Sequence, residues 1–252
     1  MSVRASAAHL SVAFPSVSNW ATGWRVPDPA DVPGAGGAAV VGAADRFRQL
    51  DRLHNHWARP GERHSWQWYL TFEDCPELHA LAGRCQAAVT FPYYDLVPLD
   101  GLHLTLGRIA PLDEITSGQV NAIATAASRA CAALEPFVIT IGVLGGTAGA
   151  LGFAVDPAEQ LRQLRDMLRE ATCTAVPSVS PTSPQFEPHV SIAYCNTDGI
   201  PAAQAAAAVE KLRALPSATA MVRAAVIVRL ERQERAYVWR PVAKLPLQAN
   251  AR

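Results

Sequence analysis

Two short stretches constrain this chain more than anything else in it. One is His103, Leu104, Thr105, Leu106; the other is His189, Val190, Ser191, Ile192. Each reads His, apolar, hydroxyl, apolar. Successive side chains of a strand point to opposite faces. The period of two therefore predicts a strand with an apolar face to bury and a polar face carrying one imidazole and one hydroxyl. A chain with two such strands needs a core behind each and a shared polar space in front.

The remaining pattern supplies that framework. Residues 65–72 are aromatic-rich and strand-like. Residues 76–87 read as a helix with Leu78, Leu81 and Cys85 on one face, and residues 116–134 as an Ala-rich helix opened by a capping box, Thr116 with Gln119. Residues 137–141 and 150–155 flank a Gly-rich turn at 145–149 and read as a hairpin. Asp156 as N-cap, Pro157 and Glu159 then signal a helix with the stripe Leu161, Leu164, Leu168 and Ala171. After a loop holding Pro177, Pro181, Pro184 and Pro188 come the second His strand, a helix over 202–215 and a closing hairpin over 222–230 and 236–239. Strands in hairpins as well as singly favour a mainly antiparallel α+β architecture over a doubly wound parallel sheet.

The first 60 residues are set apart as an N-terminal extension, with the main domain over 61–252. Pro15, Pro27, Pro29, Pro33 and clustered glycines make residues 1–37 an irregular arm. Phe47, Leu50, Leu53 and Trp57 recur at steps of three and four and predict a helix over 38–58.

Lys plus Arg and Asp plus Glu are equal in number, so binding to nucleic acid through bulk charge is disfavoured. The five cysteines, Cys75, Cys85, Cys131, Cys173 and Cys195, are odd in number and form no C-x-x-C pair. That argues against a disulfide framework and for a reducing compartment. With no long apolar run and no clean leader, the expectation is a cytoplasmic protein away from membranes.

Two His-and-hydroxyl faces set opposite each other make a site for moving protons at a phosphate. Imidazole titrates near neutrality, so one ring can act as base and the other as acid. Thr105 and Ser191 can donate hydrogen bonds to phosphate oxygens.

The pair of H-x-[T/S]-x strands resembles the motifs of the 2H (two-histidine) phosphoesterase superfamily, which includes the 2'-5' RNA ligase-like proteins and cyclic phosphodiesterases. The resemblance spans roughly residues 64–243, and the hairpin leading into residues 155–161 resembles that family's middle section. It implies two pseudo-symmetric α+β lobes with mainly antiparallel sheets and an active-site cleft between them. It makes His103 and His189 the acid–base pair, in an order left open, and Thr105 and Ser191 the phosphate ligands. The implied reaction opens 2',3'-cyclic phosphates on RNA ends or small nucleotides, by a monomer without metal or cofactor. The alternatives are 2'-5' RNA ligation and a non-catalytic nucleotide- or RNA-binding module. Family members tend to carry an arginine after the second motif where this chain has Tyr194. By strand parity residues 189, 191 and 193 share a face, so Tyr194 reaches the site only through a bulge or strand end.

Further substrate contacts are expected from Arg108, just past the first motif, and from Tyr93 and Tyr94 as stacking rings in a loop or edge. Trp66 and Trp68 share a strand face and are expected in the core. His54 and His56, two apart on the expected helix, point in different directions and read as a solvated helix end. The Gly-rich turn is no P-loop, because no Gly-Lys-Ser/Thr follows it.

Overall fold

The computed structural model describes residues 43–58, 60–61, 63–179 and 186–248. The arm expected over 1–37 lies outside the described residues. In chain order the elements are α1 (Ala43–Arg48), β1 (His64–Thr71), α2 (Pro76–Ala88), β2 (Tyr94–Leu96), a 3-10 turn (Leu99–Gly101), β3 (His103–Pro111), α3 (Ser117–Cys131), β4 (Phe137–Thr147) and β5 (Ala150–Asp156). Then follow α4 (Ala158–Ala175), β6 (His189–Cys195), α5 (Ala203–Leu212), β7 (Ala218–Val222), β8 (Ala224–Arg232) and β9 (Tyr237–Pro246).

The strands form two sheets, ordered β3-β1-β8-β9 and β2-β6-β5-β4-β7. Every pairing within them is antiparallel. The two His strands fall in different sheets, and β3 lies against β6 where the sheets meet. Two of the helices cross over. Helix α2 follows a strand of the first sheet but packs on β6 and β7 of the second, whereas α4 follows a strand of the second but packs on β3 of the first. Each sheet is thus covered in part by a helix that follows a strand of the other, while α3 packs on β8 and β9 and α5 on β4, each on the sheet it follows. One continuous core results, holding Trp68, Leu104, Leu106, Phe153, Val190 and Ile192 together with Leu161, Leu164 and Leu168 of α4.

Local signals account for most element ends. Thr116 and Gln119 form the expected reciprocal capping box at the start of α3. Trp68 is buried and Trp66 packs partly buried against the same core. Three expectations shift. The helix expected over 38–58 has its described part only at Ala43–Arg48. Residues 49–58 continue as an irregular strap, because their backbone groups find partners elsewhere: the amides of Leu53, His54 and His56 donate to Ile200, Ala148 and Cys195 at 2.7, 2.8 and 2.7 Å. Strand β4 runs on to Thr147, through the glycines expected in the turn, and Asp156 ends β5 while Pro157 caps α4. The closing region holds three strands, not two, since β7 pairs with β4. None of the described helices is long and apolar enough to cross a membrane.

Gly152 on β5 faces Ser191 on β6, and a Cβ there would stand 2.8 Å from the Val190 carbonyl oxygen and 3.2 Å from the Ser191 Cα. The second His strand can lie this close only because its neighbour has no side chain. Gly152→Ala is expected to destabilise the protein by about 1–3 kcal/mol, the usual size of an overpacking penalty, read from the shift in urea midpoint. Gly107→Ala, where a Cβ meets nothing within 4 Å, is the control with the smaller effect.

Candidate active site

The apolar halves of the two His strands anchor them: Leu104, Leu106, Val190 and Ile192 are each 0–1% exposed. Pairing fixes what lies in front. Residues directly opposite in an antiparallel pair share a face. Tyr69 of β1 opposes Thr105 and Thr71 opposes His103, so Tyr69, Thr71, Thr105 and His103 share the cleft face of the first sheet. Ala154 opposes His189 and Gly152 opposes Ser191, so small residues lie beside the second His and hydroxyl.

Both strands carry a bulge at the same motif position. Trp68 and Tyr69 pair with Gly107 and Thr105, leaving Leu106 unopposed; Leu151 and Gly152 pair with Ala193 and Ser191, leaving Ile192 unopposed. A bulge of one residue reverses the parity beyond it. Arg108 therefore opposes Gln67 and joins the cleft face, and Tyr194 opposes Ala150 and joins the face of His189 and Ser191. Ala193, on the site face by simple alternation, is fully buried instead. Arg108 and Tyr194 each follow their His by the same interval, so each lobe presents an imidazole, a hydroxyl and one longer polar side chain.

The imidazoles are held alike. His103 Nδ1 bonds the Gly101 carbonyl and His189 Nδ1 bonds the Glu187 carbonyl, both at 2.8 Å. A carbonyl can only accept, so in the neutral ring Nδ1 carries the proton and Nε2 the lone pair. Burial holds His103 far below the ordinary histidine value, at about 4; the Gly101 bond opposes this and the nearby His189 adds to it. His189 is also held down, by burial against the pull of its carbonyl bond.

The floor beside His103 is aromatic. Tyr69 stacks on the His103 ring at 4.1 Å and 9°, and Trp239 meets both edge-on. Val226 and Val228 complete this small buried cluster. The Tyr69 hydroxyl is held neutral, first by burial and then by Tyr194, while its hydrogen bond with Thr105 works the other way and Tyr237 adds to the rise. The rings of Tyr194 and Tyr237 lie 5.3 Å apart, and Tyr237 shares a face of β9 with Trp239. The alternation of Ser65, Gln67 and Tyr69 with Trp66, Trp68 and Leu70 is the sequence signal for Tyr69. Tyr237 and Trp239 have no comparable signal.

Tyr93 and Tyr94 do not join this site. Tyr94 is 6% exposed within the core, and Tyr93 lies parallel to Phe91 at 5.1 Å, packed against the same core. The segment lies at an edge, one of its two expected settings, since β2 is the outer strand of its sheet and pairs with β6; both tyrosine rings nevertheless pack against the core. His54, His56 and His64 are dispersed to different partners. His54 approaches Asp198 and His64 approaches Glu231, at 3.7 and 3.9 Å. His56 enters the cleft wall and bonds the Tyr237 hydroxyl at 2.9 Å, contrary to its expected place on a solvated helix end.

Because both site histidines are kept neutral in the fold, the unfolded chain binds more protons than the folded one between about 4 and 6.5. This contribution to stability is intact above that window and is lost as pH falls through it. Thermal unfolding followed by circular dichroism from pH 7 to 4.5 should show a steeper loss of Tm in the wild type than in His103→Gln. Parallel curves would falsify the assignment of a depressed pKa to His103.

The sequence profile of the 2'-5' RNA ligase superfamily matches residues 73–234. Among solved structures, the chain is similar to TT0787 of Thermus thermophilus, at 18% identity and a TM-score of 0.58, over 74% of this chain and 99% of that one. It is similar to E. coli LigT, solved with 3'-AMP, at 16% identity and a TM-score of 0.56, over 75% of this chain and 100% of that one. A structure described as a phosphoesterase matches at 17% identity and a TM-score of 0.54, over 74% and 99%. At these identities the likeness is one of fold. No curated protein sequence matches the chain. The profile covers more than half of the sequence and the two sheets correspond to the two lobes of the 2H phosphoesterase fold: the chain belongs to the 2'-5' RNA ligase superfamily.

Proposed function

We propose that the protein is a phosphoesterase that opens 2',3'-cyclic phosphates on RNA ends or small nucleotides, with His103 and His189 as its acid–base pair. The observation that carries this reading is the matched pair of imidazoles, one from each sheet, each with Nδ1 tied to the carbonyl two residues before it and a hydroxyl on the same face. In cyclic-phosphate opening, a base takes a proton from water as its oxygen bonds to phosphorus. An acid gives a proton to the ribose oxygen as the P–O bond breaks. His103, held neutral down to about 4, suits the base. His189 then supplies the acid, its proton favoured by the phosphate's own negative charge. Thr105 and Ser191 are placed to donate to the non-bridging oxygens, with Arg108 on the same face to offset charge. With a ribose hydroxyl in place of water, the same displacement forms a 2'-5' linkage. Ligation is therefore the alternative direction, in keeping with the family's name.

The test is turnover of adenosine 2',3'-cyclic monophosphate and of RNA ending in a cyclic phosphate, with and without a 5'-hydroxyl acceptor. His103→Ala and His189→Ala should each lower kcat by about 10²–10⁴ while substrate binding persists. Unchanged kcat in either variant overturns the acid–base assignment. Binding without wild-type turnover supports a nucleotide-binding module instead. Wild-type activity should survive EDTA. The pH profile of kcat/KM should be bell-shaped, with an acid limb near 4 set by His103 and an alkaline limb below 6.5 set by His189.

A further inference from the structure

Residues 49–58 precede the region shared with the family, yet they form part of the cleft wall. The strap is fixed from both sheets. From the second, the Cys195 carbonyl takes the His56 amide and Asp95 takes the Trp57 indole N–H at 2.9 Å. From the first, Arg232 donates to the Trp57 carbonyl, and Arg235 in the β8–β9 turn pairs with the same Asp95. Burial pushes the Asp95 carboxyl up, but donors from Arg235, Asn196 and Trp57 outweigh it and hold the group ionised. The strap therefore ties the two sheets together at one end of the cleft.

What it delivers there is His56. Its Nε2 lies 2.9 Å from the Tyr237 hydroxyl, and its ring lies 4.2 Å from the Tyr194 ring, tilted by 34°. Trp57 closes the group, 5.2 Å from both tyrosine rings. All four residues are half-buried. A phenol oxygen that accepts from an imidazole N–H keeps its own proton for a third partner. Tyr237 shares a face of β9 with Trp239, which meets the His103 ring edge-on, and its ring lies 5.3 Å from that of Tyr194 on the face of His189 and Ser191, so that third partner lies on the cleft side.

Resting on the phosphoesterase reading above, we propose that Tyr237 is a further phosphate-binding residue and that His56 is its positioning residue, donating from Nε2 so that the phenol proton is directed at the substrate's anionic phosphate. His56 and Tyr237 both lie outside residues 73–234, so this pair is supplied by the two ends that flank the family region. Trp57 and Tyr194 serve to hold the imidazole in place by packing.

The pair is tested by affinity for inorganic phosphate, measured calorimetrically, and by KM and kcat for adenosine 2',3'-cyclic monophosphate. Tyr237→Phe and His56→Ala should each weaken phosphate binding about 10-fold, the scale of one hydrogen bond to a charged group. KM should rise by a similar factor and kcat should change less. The double variant should be no weaker than the weaker single one, because both remove the same bond. His56→Gln, whose side-chain N–H can donate to the phenol, should stay within about 3-fold of wild type, a rescue that lost packing alone would not give. Additive losses, or wild-type phosphate affinity in Tyr237→Phe, overturn the pairing, and the latter holds even if His56→Ala fails to fold. Phosphate binding with these effects but no turnover leaves the pair intact and removes the enzymatic reading. Absence of phosphate binding to the wild type removes both.

Discussion

The cleft depends first on four aliphatic side chains that never touch it. Leu104, Leu106, Val190 and Ile192 are withdrawn from water almost completely, each contributing about 1.5–3 kcal/mol of burial. Because alternate residues of a strand are bound to opposite faces, fixing these four fixes His103, Thr105, His189 and Ser191 on the other side. The core that receives them is shared. Helices α2 and α4 pack across, each on the sheet it did not follow. The relative placement of the two imidazoles is thereby tied to the packing of the whole domain and not to a local loop.

Parity alone does not complete the site. Each His strand has an unopposed residue just past its motif hydroxyl, Leu106 or Ile192, and the face beyond it is exchanged; β3 has a second, Ile109, after Arg108. The bulge keeps the aliphatic residue in the core and turns Arg108 or Tyr194 toward the cleft. Its recurrence at the same motif position in both strands means that each lobe builds the same three-residue display with a different last member. One lobe offers a cation and the other a phenol. On the second strand the arrangement also needs Gly152, since any Cβ there would meet the Val190 backbone.

The electrostatics follow from the same burial. Two half-buried histidines with Nδ1 committed to carbonyls favour the neutral imidazole whose Nε2 bears a lone pair. A bound phosphate brings the negative charge that restores a proton to one of them. The aromatic floor under His103, with Tyr69 stacked upon it, excludes water from one side of the ring and contributes to that neutrality. The strap adds a second aromatic group at one end of the cleft and joins the sheets through Asp95.

The strand faces, the α+β class, the capped helix α3 and the two His-and-hydroxyl pairs were all legible in the amino-acid order, because they follow from periodicity and side-chain chemistry within a few residues. The cue for Tyr69 was there too, in the alternation along β1. Which long side chains reach the cleft was settled instead by contacts between distant parts of the chain. Arg108 and Tyr194 get there through bulges that arise from pairing with a remote strand. Tyr94 lies in β2, which pairs with β6, and its ring is buried, with Tyr93 packed against the same core. His56 leaves the expected helix because Ile200, Ala148 and Cys195 offer its segment backbone partners far along the chain. Local pattern sets which way a side chain points from its own strand; long-range hydrogen bonding sets where that strand, or a segment that is not a strand at all, comes to rest.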